Sequence, residues 1–164
     1  MRPGNGLNPQ PIRRRAVDRT APRWSLRQIA PEAPMLLIIF IVLLLVFIQN
    51  VIPGYLLTQQ VGPEMQMGAR DNLPEPTPAL GRARRALANL HETLPIFLTL
   101  AILVLVLGED GWLPVLGGVV YIAGRIGHFY CYMKALSPWR SIAFTISLVG
   151  MGLVALPLMP HLWS

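Results

Sequence analysis

The stretch PMLLIIFIVLLLVFIQNVIPGYLL, residues 34–57, carries no charge and is apolar at nearly every position. A helix needs about 20 apolar residues to cross the hydrocarbon core of a bilayer, and this run exceeds that length. The uncharged region around it extends from Ala33 to Pro63. It predicts a transmembrane helix that Pro53 and Gly54 kink or end. The rest of the 164-residue chain agrees: 53% of it is hydrophobic and 13% charged, against about 25% charged in a soluble domain. The length suits one domain.

Working outward, residues 1–32 form a polar, basic, proline-containing tail. Seven of the chain's 14 Lys and Arg residues are arginines within the first 27 positions, Arg13, Arg14 and Arg15 being the densest run. A nucleic-acid surface would interleave such charges with aromatics on a folded face. The tail has one aromatic, Trp24, so it reads as a disordered segment flanking a membrane, with no nucleic-acid partner. A cleaved signal peptide fits poorly, because the apolar run that follows is too long and no small-residue cleavage site follows it.

After the first span, residues 58–80 read as a loop, since Pro74, Pro76 and Pro78 oppose a sustained helix. Thr77 and Pro78 suit the N-cap and first turn of a second helix running to about Leu107. Its second half, LPIFLTLAILVLVL (94–107), is uncharged and almost wholly apolar, with Pro95 tolerated as a kink. The turn GEDGW (108–112) leads to a third helix over about Leu113–Ala135, and Ser137 and Pro138 separate it from a fourth over about Arg140–Leu162. Trp112, Trp139 and Trp163 fall near helix ends, as in an interfacial aromatic belt. The expectation is an all-α, multi-pass integral membrane protein, a four-helix bundle spanning residues 33–164. Short connections make the second, third and fourth helices antiparallel neighbours.

Two polar triplets interrupt this apolar pattern. Arg85, Asn89 and Glu92 lie in RARRALANLHETLPIF (82–97), and Arg125, His128 and Tyr132 in GRIGHFYCY (124–132). The spacings i, i+4, i+7 and i, i+3, i+7 place each triplet on one helical face. Ionisable groups at membrane depth are costly and mark sites whose partners face the bundle interior. The first face can hold a ligand bearing carboxylates and an ammonium group, through the guanidinium fork of Arg85 and the amide of Asn89. Equally, Glu92 can neutralise Arg125 as a buried pair that sets helix register. Arg140 and Ser141 begin the fourth helix at the same bundle end as Arg85. Together with Arg82, Arg84 and Lys134, Arg140 and Arg85 form a positive collar. Arg82 and Arg84 read first as interface anchors. His91 reads as an interfacial polar residue. Cys131, the single cysteine, reads as a small buried filler, and no metal-ligand spacing is present.

The string R-x-x-R-A-x-x-N-x-x-E-x-x-P-x-F, carried by Arg82, Arg85, Ala86, Asn89, Glu92, Pro95 and Phe97, resembles the signature of the MAPEG family, the membrane-associated proteins in eicosanoid and glutathione metabolism. Arg125, His128 and Tyr132, followed by Arg140-Ser141, resemble the third-to-fourth helix segment of the same family. The resemblance covers about residues 35–162. It implies a homotrimer of four-helix bundles in a lipid bilayer, binding glutathione or another small thiol between subunits near the cytosolic face. It also implies a transferase or peroxidase acting on a lipophilic small molecule. Arg85, Asn89, Glu92, Arg125, His128 and Tyr132 would contact the thiol compound. Arg140 would stabilise its thiolate, with Ser141 assisting. A fixed cation lowers a thiol's pKa from about 8.5, and the thiolate is the nucleophile.

Some positions depart from the prostaglandin-forming relatives. Ala88 stands for an arginine and Phe144 for a tyrosine, and the connection from Tyr132 to Arg140 is one residue shorter. The first helix lacks a basic residue at its cytosolic end, Gln59 and Gln60 being nearest. These departures argue against eicosanoid synthesis. The segment Met67-Gly68-Ala69-Arg70-Asp71 resembles the bacterial branch, which implies a bacterial inner membrane. Charge counts alone leave the orientation open; the family orientation puts the collar in the cytosol. Two other readings compete. One is a non-catalytic module that keeps the fold, with Glu92 and Arg125 as a structural pair. The other is a small transporter subunit, against which the absence of inverted repeats counts.

Overall fold

A computed structural model describes residues 34–163; the basic tail expected over residues 1–32 lies outside the described residues. Four α-helices follow in order: α1 (Pro34–Met67), α2 (Pro78–Leu107), α3 (Trp112–Met133) and α4 (Ser137–Ala155), the last continued by a 3-10 segment, Leu156–Leu162.

The helix α1 corrects the sequence reading at its end. It runs through Pro53, which removes one backbone bond, and continues ten residues into the expected 58–80 loop. The Thr58 hydroxyl donates to the Gly54 carbonyl at 3.0 Å just past that proline. The break falls at Gly62, whose φ of 79° and ψ of 164° suit a residue without Cβ. Pro63 then restarts a short helical turn. The Gln60 amide ties the returning loop down: its Nε2 donates to the Glu75 carbonyl at 2.7 Å, and the Thr77 N–H donates to its Oε1 at 3.1 Å. Thr77 then caps α2, accepting from the Leu80 N–H at 3.3 Å.

Gly108, at φ 70°, closes α2 in the left-handed conformation, and the Glu109 N–H donates back to Val104 at 2.9 Å. Helix α3 ends the same way, but with Ala135 (φ 56°) in the position glycine usually takes: Leu136 N–H donates to Cys131 at 2.9 Å and Ala135 N–H to Tyr132 at 3.1 Å. That turn reverses the chain within three residues. Accordingly α4 starts at Ser137 rather than Arg140, with Pro138 in the first turn that its fixed φ favours.

Helices α3 and α4 pack almost backbone to backbone. A Cβ on Gly124 would lie 2.6 Å from the Ser147 nitrogen, and one on Gly117 2.7 Å from the Gly150 carbonyl. Small residues at such crossings let membrane helices approach closely. The pairings Phe97–Tyr121 and Asn89–Arg125 run in opposite sequence directions, so α2 and α3 are antiparallel. The core gathers Met35, Ile38 and Val42 of α1, Phe97, Ala101 and Val104 of α2, Tyr121 of α3, and Met151 and Val154 of α4. Phe97 and Tyr121 stack with ring centroids 4.0 Å apart.

The outside is as apolar as the inside. Phe40, Phe47 and Val106 are 63%, 66% and 74% exposed, a surface that suits lipid rather than water. Three helices are long and apolar enough to cross a membrane: α1, α2, and α4 with its 3-10 extension. The protein is therefore an integral membrane helix bundle. The expectation of four apolar spans is met by three, because α3 carries the second polar triplet. At 22 residues it still extends about 33 Å.

Candidate functional site

Arg125 is 1% exposed in the middle of the bundle. Its Nη1 donates to Asn89 Oδ1 at 2.9 Å and its Nη2 to the Thr93 hydroxyl. Its guanidinium carbon lies 5.4 Å from the Tyr121 ring centre and 5.2 Å from that of Phe144. The Arg125–Glu92 pair allowed by the sequence is not formed. Among the described residues the one ion pair is His161–Glu109, at 3.0 Å, at the other end of the bundle. Glu92 is exposed, and its Oε2 accepts from Asn89 Nδ2 at 3.5 Å. The reason is rotational. At about 100° per residue, Asn89 and Thr93 lie some 40° apart on the face toward α3, whereas Glu92 is turned about 100° from Thr93. Thr93 escaped the sequence reading because a threonine in an apolar run carries no charge signal; its place four residues after Asn89 was the available clue.

Two recesses lie above Arg125, toward the arginine-rich end. One, of about 310 Å³, is lined by Arg82 and Arg85 of α2, Cys131 and Tyr132 of α3, and Ser137 and Arg140 at the start of α4. The other, of about 280 Å³, is lined by Asn89, His128, Tyr132, Arg140, Ser141 and Phe144. They share Tyr132 and Arg140, whose guanidinium carbon sits 4.8 Å from the Tyr132 ring centre. His128 meets Tyr132 edge-on at 5.2 Å and leans on Phe144 at 5.9 Å. The tight α3–α4 turn brings Tyr132 and Arg140, eight positions apart, into this stack.

Of the eight expected site residues, Arg85, Asn89, His128, Tyr132, Arg140 and Ser141 therefore line the two recesses. Arg125 supports Asn89 from below, and Glu92 lines neither recess. Cys131, read as a buried filler, is half-buried on the wall of the first. Gln60 is committed to the loop, and His91 Nε2 lies 3.5 Å from Asn50 Nδ2 on α1. Ser141 and Thr145 also border an apolar groove of about 380 Å³ walled by Val120, Ile142, Ile146 and Val149. The arrangement thus joins fixed cations, a hydroxyl and a neighbouring apolar groove at one point, Arg140–Ser141.

The model of the MAPEG family matches residues 35–159. No curated protein matches the chain.

Proposed function

The chain belongs to the MAPEG family, and from that premise we propose that it is a glutathione-dependent membrane transferase or peroxidase acting on a lipophilic electrophile. The observation that carries the reading is the position of Arg140. It is stacked on Tyr132, shared by both polar recesses, and followed by Ser141 at the edge of the apolar groove.

Glutathione, when bound, supplies the thiol. Arg85 and the Asn89 amide would hold its carboxylate and peptide groups, with Asn89 fixed in orientation by Arg125. His128 and Tyr132 would wall the cleft. The Arg140 guanidinium favours the ionised sulfur, whose proton leaves to water, and the Ser141 hydroxyl can donate to it. The sulfur so held would supply the nucleophile, and the groove beside Ser141 would present the electrophilic atom to it, the leaving group departing with the electrons of the bond that breaks. A small thiol in place of glutathione would use the same groups.

We place the arginine end in the cytosol, where near-membrane Arg and Lys collect. Arg84 and Glu92, exposed on the outer face of α2, are the groups a neighbouring copy in a homotrimer would cover. The structural Glu92–Arg125 pair behind a non-catalytic module is not formed.

The test is calorimetry of glutathione on the detergent-purified protein, with ultraviolet detection of the bound thiolate. Arg140→Ala is expected to abolish the thiolate absorbance and leave the assembly intact on gel filtration. Absence of glutathione binding to the wild-type protein overturns the reading.

A further inference from the structure

We propose that the recess between α2, α3 and the start of α4 is a phosphate site, taking the phosphate of an anionic lipid headgroup or free inorganic phosphate. The recess shares Arg85 and Arg140 with the thiol reading but adds Arg82, which that reading does not use. Three guanidiniums line its volume of about 310 Å³, and none of its lining residues is acidic. Among the described residues none of the three is in an ion pair. The Arg82 Nε is buried without a hydrogen-bond partner, an arrangement that costs free energy unless an acceptor reaches it. Helix α4 begins at the same place. Ser137 lines the recess, and no side chain caps the first turn, so the positive end of a 19-residue helix adds to the guanidiniums.

The charge decides the ligand class. One carboxylate is satisfied by a single bidentate guanidinium. Three guanidiniums and an uncapped helix end suit a phosphate, whose acceptor oxygens share one centre and match arginine's planar fork. The position suits the same ligand. Leu136, 41% exposed, lines the recess, and Lys134 and Trp139, next in sequence to its lining residues Ala135 and Arg140, are exposed. Aromatic and basic residues of this kind lie at headgroup level. This gives Arg82 a role that the interface-anchor reading did not.

Cys131 makes the recess measurable, because it lines the wall and is the chain's one cysteine. The experiment follows alkylation of Cys131 by N-ethylmaleimide, read by intact mass, in the full-length protein in dodecyl maltoside and phosphate-free buffer. Inorganic phosphate, or phosphatidylglycerol in mixed micelles, is expected to slow alkylation, while chloride at equal ionic strength does not. Protection by free phosphate identifies a soluble ligand, and protection by phosphatidylglycerol alone identifies a headgroup; either supports the site. Arg82→Ala is expected to raise the half-protecting concentration about tenfold, as loss of one charge-assisted hydrogen bond implies. Arg82→Gln, which keeps the side chain's packing, serves if the alanine variant does not elute as a folded species. The proposal is overturned if neither phosphate source protects beyond chloride, or if protection is unchanged in the Arg82 variant. S-methylglutathione forms a separate arm. Protection by it but not by phosphate overturns this proposal and leaves the thiol reading standing, whereas the reverse pattern supports the phosphate site and counts against the thiol reading.

Discussion

Substituting Gly124 with alanine tests whether the α3–α4 contact sets the site. The added Cβ would lie 2.6 Å from the Ser147 nitrogen, 2.8 Å from its Cβ and 2.9 Å from the Ala143 carbonyl oxygen. Two of these atoms are backbone, so no rotamer change relieves the contact. Restoring ordinary separations, about 3.5 Å between carbons, requires the helices to part by somewhat under 1 Å. Overpacking of this kind costs roughly 1–3 kcal/mol. A glycine-to-alanine change also gains up to about 1 kcal/mol of helix propensity, which must be separated from the packing cost. Gly152, in the same helix pair, supplies the control: a Cβ there has nothing within 4 Å.

The stability difference between Gly124→Ala and Gly152→Ala therefore isolates the packing cost, roughly 1–3 kcal/mol. At about 2–4 °C per kcal/mol for a chain of this size, Gly124→Ala should melt several degrees below Gly152→Ala in detergent, followed by circular dichroism. The same displacement moves His128 and Tyr132, one and two turns along α3, away from Arg140 and Ser141. Glutathione affinity measured by calorimetry should fall for Gly124→Ala and hold for Gly152→Ala. Equal melting temperatures for the two variants would refute the reasoning, because they would show that the helices are not in backbone contact.

Other substitutions test the buried network and the turns. In double-mutant cycles on thermal stability, Arg125→Met should couple to Asn89→Ala by about 1.5–3 kcal/mol, and to Glu92→Gln by less than about 0.5 kcal/mol; the opposite order would restore the Glu92–Arg125 pair. Ala135→Gly should stabilise the protein by about 0.5–1 kcal/mol, since it relieves a left-handed backbone that alanine takes at a cost, and a loss of stability would contradict the positive φ. Thr77→Ala should lower stability by about 1 kcal/mol through loss of the α2 cap. Gln60→Ala should speed limited proteolysis of the 68–77 loop, and unchanged cleavage would show that the Gln60 amide does not hold it.

The parts of this molecule that were legible in the sequence are those encoded by neighbours along the chain. Thr77-Pro78 and Gly108 mark the ends of α2 at the residues where the structure puts them, because caps are local chemistry. The six recess-lining residues were legible for a related reason: helical spacing aligns them on faces, and two short turns bring those faces together. What one helix's periodicity cannot contain is its rotation against the next. Arg125 was correctly placed inside the bundle, but whether it met Glu92 or the Asn89–Thr93 edge depended on some tens of degrees about the α2 axis. That rotation is set by packing elsewhere, by Phe97 on Tyr121 and by the glycines that seat α3 against α4. The end of α1 failed for a different reason. Pro53 looks like a stop on local rules, yet it removes a single bond from a helix that continues on both sides of it, while Gly62, with a conformation that opposes helix, sets the break. The shift matters for the site, since it is the ten added residues that bring Gln60 to the loop before α2. The amide that the sequence comparison offered as a substitute for a basic ligand contact instead holds the start of the helix that carries Arg82 and Arg85.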